Sequence, residues 1–209
     1  MKRIALVTLV LVASSLVVPG ARAQEIEDRS LRLAGGLVLG MEGELDANVG
    51  DLETNGDLDP SIGFDVRAEL PVADFLAIGG WFQFLTVEGE AMGSEREETL
   101  SFDAFVRGRW VVEAVQGELF LEPYVLVPIG LSLAILGNDD DVWAGFNTGV
   151  FGGIQVLHAS GFGGYLEAGW RHAQVFRKDD VPIVGDIESS LVLNEFALNL
   201  GVVFALGGS

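Results

Sequence analysis

Along most of this chain apolar residues occupy every second position, and the positions between them carry polar residues or glycine. Alternation of this period predicts half-buried β-strands. Eight segments show it. The first sets Leu31, Leu33, Leu37, Leu39 and Met41 against Arg32, Gly36, Gly40, Glu42 and Glu44. The second sets Ile62, Phe64, Val66, Ala68 and Leu70 against Asp65, Arg67 and Glu69. In the third, Leu76, Ile78, Phe82 and Phe84 oppose Ala77, Gly79, Trp81 and Gln83; in the fourth, Leu100, Phe102, Ala104, Val106 and Trp110 oppose Ser101, Asp103, Arg107 and Arg109. The fifth has Leu121, Val125, Val127, Ile129 and Leu131 opposite Glu122, Tyr124, Gly130 and Ser132, and the sixth has Phe146, Val150, Ile154 and Val156 opposite Asn147, Gly149, Gly153 and Gln155. The seventh places Phe162, Leu166, Ala168 and Trp170 against Tyr165, Glu167, Gly169 and Arg171. The last runs Phe196, Leu198, Leu200, Val202, Phe204, Leu206, with Glu195, Ala197, Asn199 and Gly201 on its other face.

The connections alternate in length. Those around Pro71 to Asp74, Glu113 to Glu118 and His158 to Ser160 are tight, whereas Asp46 to Pro60, Glu88 to Glu98, Leu136 to Trp143 and Phe176 to Ser189 are long and acidic. Short turns on one side and longer loops on the other are the asymmetry of an outer-membrane barrel, and eight is an even, closable strand number. A propeller has repeats of about 40 to 45 residues, but each holds four short strands instead of two long ones. Pro123 and Pro128 fall inside the fifth strand, where each removes a ladder donor. Pro123 is expected at the periplasmic rim and Pro128 at a bulge.

The N-terminus is of a different kind. Lys2 and Arg3 precede an apolar run from Ile4 to Val18, followed by Pro19, Gly20 and Ala21-Arg22-Ala23. This reads as a cleaved signal peptide over residues 1–23 with an Ala-x-Ala site, leaving one domain of ordinary size over residues 24–209. No later stretch reaches the roughly 18 apolar residues of a transmembrane helix. The chain has no Cys, which excludes disulfides, thiolate metal sites and a lipoprotein anchor. Cleavage removes Lys2, Arg3 and Arg22, taking 12 basic residues to 9 against 31 acidic ones and the formal charge from −19 to −22. Nucleic acid is thereby excluded as a partner. Disorder is rejected because 49% of residues are apolar and periodically arranged.

Alternation alone leaves open which face points inward. A soluble lipocalin-like barrel or sandwich would wet its outer face with Lys, yet Lys178 is the one Lys of the mature chain, and the polar face is rich in Gly and Arg. Aromatic residues lie toward both ends of the apolar face, Phe75, Trp110 and Phe204 near the tight turns and Phe84, Phe102, Phe146 and Trp170 near the loops, as interfacial girdles require. In the last strand, Asn199, Gly201, Phe204 and Leu206 spell polar-x-Gly-x-x-aromatic-x-apolar. That pattern resembles the C-terminal assembly signal of Gram-negative outer-membrane barrels, although such chains end on the aromatic strand itself and Gly207, Gly208 and Ser209 follow here. Over nearly its whole mature length the chain resembles the small-barrel family of OmpA/OmpX type, with its opacity-protein and OmpW-like relatives, and lacks the peptidoglycan-binding domain that some members carry. The resemblance implies an all-β, eight-stranded antiparallel up-and-down transmembrane barrel in the Gram-negative outer membrane. It also implies lipid and lipopolysaccharide as surroundings, with the barrel-assembly machinery and periplasmic chaperones as partners in biogenesis.

A barrel of this size has an interior that side chains just fill. The inward positions carry Arg32, Arg67, Arg107, Arg109 and Arg171 with Asp65, Glu69, Asp103, Glu122, Glu167 and Glu195, and groups so buried must pair, as Arg–carboxylate forks. They form a polar plug; a charged filter in a narrow channel is the alternative. His158-Ala159-Ser160 resembles the His-x-Ser dyad of the barrel lipid A deacylases, but it falls in a predicted turn, Glu167 points into the lumen, and turn chemistry accounts for Ser160. His172 is read as a rim residue. Asp57 and Asp59, and the run Asp139, Asp140 and Asp141, are the weak metal candidates; neither has the spacing of a calcium loop, and solvated loop charge accounts for both. No cofactor is expected. The function read from the sequence is non-enzymatic: envelope integrity or surface interaction through acidic external loops, with an unidentified external ligand. A narrow porin-like channel is the alternative, and a lipid A-modifying enzyme the remote one.

Overall fold

The computed structural model describes residues 31–49, 52–87, 97–136, 141–181 and 185–206, so the expected signal peptide lies outside the described residues. All regular structure among them is β: β1 (Leu31–Val49), β2 (Leu52–Leu58), β3 (Ser61–Ala73), β4 (Leu76–Val87), β5 (Glu97–Arg109), β6 (Val112–Val115), β7 (Leu119–Leu136), β8 (Asp141–His158), β9 (Phe162–Val181) and β10 (Gly185–Leu206). Eight of these pair antiparallel in the order β1, β3, β4, β5, β7, β8, β9, β10, and β10 pairs back onto β1 from Leu31↔Leu206 to Val49↔Ser189. The ring is closed, as expected. β2 continues the line of β3 along β1 across Asp59-Pro60, and β6 continues the line of β5 along β7.

The two faces are inverted relative to a water-soluble protein. Ile129 and Leu131 are 67% and 65% exposed, whereas Arg32 and Glu167 are each 1% exposed. Apolar groups outside and ionic groups inside are stable only where the outer solvent is hydrocarbon. Phe75, Trp110, Phe162 and Phe204 are exposed at the tight-turn end, with Phe162 and Phe204 in ring contact at 5.1 Å. Phe102, Phe146 and Trp170 are exposed nearer the other end. Two tight turns hold a glycine at positive φ, Gly117 at +70° and Gly161 at +84°; the Gly161 N–H donates to His158 O at 2.8 Å, and its carbonyl accepts from Ala205 N at 2.7 Å.

Three expectations are corrected. Glu44 does not face the lumen. A bulge between Gly40 and Glu42 on β1 absorbs one residue against β10, and beyond it Leu45 is buried while Glu44 is exposed, because side-chain direction reverses with a one-residue slip. The side chain of Glu42 lies outside the described residues. Pro128 marks no bulge, since the β7–β8 register is the same on both sides, Leu126↔Phe151 and Ile129↔Thr148. The ladder skips Val127 and Pro128, and the Thr148 hydroxyl donates to the Pro128 carbonyl at 2.9 Å. Pro123 lies toward the tight-turn end, where its carbonyl accepts from Trp110 N at 3.0 Å.

The third correction concerns the long connections, which are partly strand. β1 and β2 pair from Gly43↔Leu58 to Val49↔Leu52, and β9 and β10 pair up to Val181↔Gly185. β3–β4 pairing stops at Ile62↔Thr86 and β8–β9 pairing at Ala144↔Phe176. Above those levels β2, β1, β10 and β9 continue as a four-stranded sheet standing on one side of the barrel. Their chemistry is acidic and polar, as the sequence indicates; hairpin pairing organises it.

Candidate functional site: the charged lumen

Apart from Glu42 and Glu44 of β1, the charged residues expected on the inward faces are buried there: Arg32, Asp65, Arg67, Glu69, Asp103, Arg107, Arg109, Glu122, Glu167, Arg171 and Glu195. Strand alternation places each one inward, and the closure of the ring brings together residues far apart in the chain.

Nearest the tight turns, Arg32 on β1 forms a fork with Glu122 on β7, Nη1 donating to Oε2 at 2.7 Å and Nη2 to Oε1 at 3.1 Å. β1 and β7 are four staves apart in a ring of eight, so this pair crosses the full diameter of the lumen. Glu69 lies 3.7 Å from Arg32 and accepts from Arg107 Nη1 at 2.6 Å. Arg107 also donates to Gln155 Oε1 at 3.0 Å, and its guanidinium stands 3.8 Å from the Tyr124 ring centroid. Arg109 Nη1 is 3.6 Å from Glu122 Oε2.

One level higher, Arg67 on β3 lies between the rings of Trp81 and Tyr165, at 4.1 and 4.8 Å from their centroids. Its Nη1 and Nη2 donate to the two oxygens of Glu167 on β9 at 2.8 and 2.5 Å, and its Nε donates to Asp65 at 2.6 Å. Glu167 further accepts from Tyr124 OH at 2.7 Å and Asn199 Nδ2 at 2.6 Å; Asp65 accepts from Trp81 Nε1 at 3.0 Å and Tyr165 OH at 2.8 Å. Both carboxylates are therefore surrounded by donors, the condition under which a buried charge is tolerated. Glycines make the room. A Cβ on Gly153 would lie 2.6 Å from both the Tyr124 ring and the Glu167 Cβ, and one on Gly201 would lie 2.6 Å from the Tyr165 ring.

The third level holds Arg171 on β9, which donates to Glu195 on β10 and, across the lumen, to Gln83 Oε1 on β4 at 3.0 Å. Ser61 donates to Glu195 at 3.3 Å. Asp103 shares this level with Asn147, Ser132 and Ser101.

Above the charges sits a layer that sequence reasoning missed. Leu45, Leu58, Leu85, Val87, Ala134, Val175, Leu191 and Leu193 are buried on the inner surface, with Trp143 and Ala47 packed against them. Phe105, Leu126 and Phe151 interleave with the charged levels. Their signal was parity. Phe105 falls between Asp103 and Arg107 on the inward face, so its position, not its chemistry, marked it. Among the described residues, one void of about 10 Å³ lies beside Arg32, Arg107 and Tyr124 and another beside Ser101, Ser132 and Arg171, each with roughly the room of one water.

The remaining motif residues are apart from the lumen. His158 and Ser160 are exposed in the turn, Nδ1 and Oγ at 2.9 Å, and Nδ1 also accepts from Ser160 N at 3.0 Å. Glu167 is engaged in the lumen and supplies them no third member. His172 faces outward, 2.8 Å from Asn194 Oδ1 and stacked on Trp170. Asp57 and Asp59 are exposed; Asp139 and Asp140 lie outside the described residues, and Asp141 opens β8 with its side chain outside them. In β10, Asn199 is buried on Glu167, while Phe204 and Leu206 are exposed on the outer face.

No protein-family model matches this chain, and no curated protein is significantly similar to it in sequence. Solved structures are similar in shape. The outer membrane protein OprG from Pseudomonas aeruginosa aligns over 86% of this chain and 98% of its own, with a TM-score of 0.56 at 8% identity. The outer membrane protein AlkL aligns over 92% and 97%, at 15% identity and a TM-score of 0.48; Neisserial surface protein A aligns over 84% and 97%, at 16% and 0.42. The likeness to OprG is one of fold, and together with the closed ring and the apolar outer face it makes this chain an eight-stranded β-barrel of the outer-membrane type.

Proposed function

We propose that this protein is a non-conducting, non-enzymatic barrel of the Gram-negative outer membrane that serves envelope integrity or surface contact. The observation that carries the closed-lumen reading is the Arg32–Glu122 fork, which ties opposite walls together with both side chains 1% exposed. Arg171 bridging to Gln83 crosses the third charged level, and the buried apolar layer above it adds a further barrier to hydrated ions. A pathway for solutes needs a continuous wet bore, and these three layers oppose one. The contact surface is the side of the long connections, where Glu44, Asp57 and Asp59 are exposed. In this reading residues 1–23 direct export, and Asn199, Gly201, Phe204 and Leu206 engage the assembly machinery.

Planar-bilayer conductance tests it. Wild-type protein is expected to be silent, and Arg32→Ala, which opens the lowest level, is expected to give brief flickering currents. Large, stable wild-type openings would overturn the closed lumen and promote the channel reading.

A further inference from the structure

The apolar outer face is not of even height around the barrel. On β1 it runs from Leu31 to Met41 and stops below the exposed Glu44; on β5 it runs from Trp110 to Leu100 and stops below the exposed Glu98; on β10 it runs from Leu206 to Phe196 and stops below Asn194. Ten residue steps of ~3.3 Å, tilted by ~40°, rise about 25 Å, the height of the hydrocarbon band. β7 differs. Its odd-numbered residues face outward, and every one of them from Leu119 to Ile135 is apolar, a run that rises about 40 Å at the same pitch and tilt. On the adjoining β8 the outward positions from Val142 to Val156 carry no charge, and their single hydroxyl, that of Thr148, is tied to the Pro128 carbonyl.

The surplus lies at both ends of the stave. Trp110, in the aromatic girdle of the tight-turn side, stands beside Pro123, while Phe102 and Phe146 of the loop-side girdle stand beside Leu131. Beyond Pro123 come Leu121 and Leu119, flanked by Val112 and Val115, which are 43% and 47% exposed. Beyond Leu131 come Leu133 and Ile135, the latter between Glu98 and Val142, which is 58% exposed. Tilting the barrel moves the β7 side up or down as a whole, and so hides one end by exposing the other further. Thickening the bilayer around this side alone deforms the lipid, at a cost that grows with each ångström of mismatch.

We infer that the β7–β8 wall is the interface at which two copies of this chain pair in the membrane. A second copy related by half a turn about the membrane normal sets the same wall opposite, with every residue at its own height. The two overlong faces then cover each other on both sides of the bilayer at once. A soluble partner reaches one end only, and lipid chains do not extend past the hydrocarbon band. The relief of the wall suits such a contact: Ile129 and Leu131, 67% and 65% exposed, project beside the smaller Ala104 and Thr148 that neighbour Ile129 in the sheet. Each copy thus offers knobs with hollows beside them. No charged side chain faces outward on either stave between these bounds, so pairing desolvates none in a strongly acidic chain.

The test is energy transfer between donor- and acceptor-labelled copies in lipid vesicles. The chain has no Cys, so Asp74→Cys in the exposed β3–β4 turn, away from the wall, supplies one labelling site. In dilute dimyristoyl phosphatidylcholine vesicles, whose bilayer is thin, transfer is expected to exceed the level of randomly placed copies. In dierucoyl phosphatidylcholine, whose longer chains cover more of the surplus, it is expected to fall toward that level. Random-level transfer in the thin bilayer would overturn the dimer, and transfer that does not fall with thickness would overturn its origin in the overlong wall; neither comparison needs a further variant. Leu119→Asn with Ile135→Asn makes the two projecting ends polar where they lie beyond the band. That double variant is expected to insert, shown by heat-modifiable migration on gels, and to give random-level transfer in the thin bilayer. Transfer retained in the inserted double variant would overturn the placement of the interface on β7.

Discussion

Removing Glu167 tests the lumen network where it is most connected. Glu167→Ala deprives Arg67 of both fork contacts and leaves Tyr124 OH and Asn199 Nδ2 without their acceptor. An uncompensated buried charge costs about 3–5 kcal/mol, and each neutral donor left unmade costs about 1–3 kcal/mol. These losses share one network and do not add. Asp65 still accepts from Arg67 Nε, and water entering the vacated space offsets part of the rest. The expected destabilisation is therefore about 3–5 kcal/mol. It is read as a fall in urea midpoint at unchanged slope, followed by tryptophan fluorescence, to which Trp81 contributes directly as a neighbour of Arg67 and Asp65. Replacing both partners, Arg67→Met with Glu167→Met, exchanges the orphaned guanidinium for an orphaned Asp65 carboxylate, whose arginine contact is Arg67 Nε, and is expected to recover little of that loss. A Glu167→Ala variant within about 0.5 kcal/mol of wild type, the range of an ordinary surface change, would refute the reasoning.

Other outcomes follow from the same geometry. Gly153→Val drives a branched side chain into the Tyr124 ring and Glu167 and is expected to destabilise by about 1–3 kcal/mol through overpacking, measured in the same urea titration. Gly201→Asp meets the Tyr165 ring and the Gly35 carbonyl, and Phe204→Ala removes the contact with Phe162; both are expected to lower the yield of heat-modifiable, membrane-inserted barrel on gels, and normal insertion of both would refute an assembly role for the last strand. His158→Ala and Ser160→Ala are expected to leave lipid A acylation unchanged by mass spectrometry, and loss of an acyl-cleaving activity in either would revive the enzymatic reading.

Strand number, the sign of each face and the inward set of charged residues were legible in the sequence, because side-chain direction in a strand alternates with period two and depends only on position along that strand. Phe105 and Phe151 obey the same rule and are buried on the inner face, but they were not assigned there from the sequence, because their side chains resemble those of the outer face. Parity fails where the local count changes. One extra residue in β1 at the Met41 bulge turned Glu44 outward and Leu45 inward, and no residue type around Met41 announces it. Pro128, which does announce an irregularity, interrupts pairing without shifting register. The long connections were acidic enough to read as loops, yet β1 with β2 and β9 with β10 draw much of them into paired strand, because pairing satisfies backbone groups whatever the side chains are. Least accessible to sequence was who pairs with whom. Arg32 and Glu122 are 90 positions apart, and Arg67 and Glu167 are 100 apart. Nothing local distinguishes Glu122 from Glu69 as the partner of Arg32. That choice follows from strand order and stagger when the sheet closes into a ring, and closure is a property of all eight staves together.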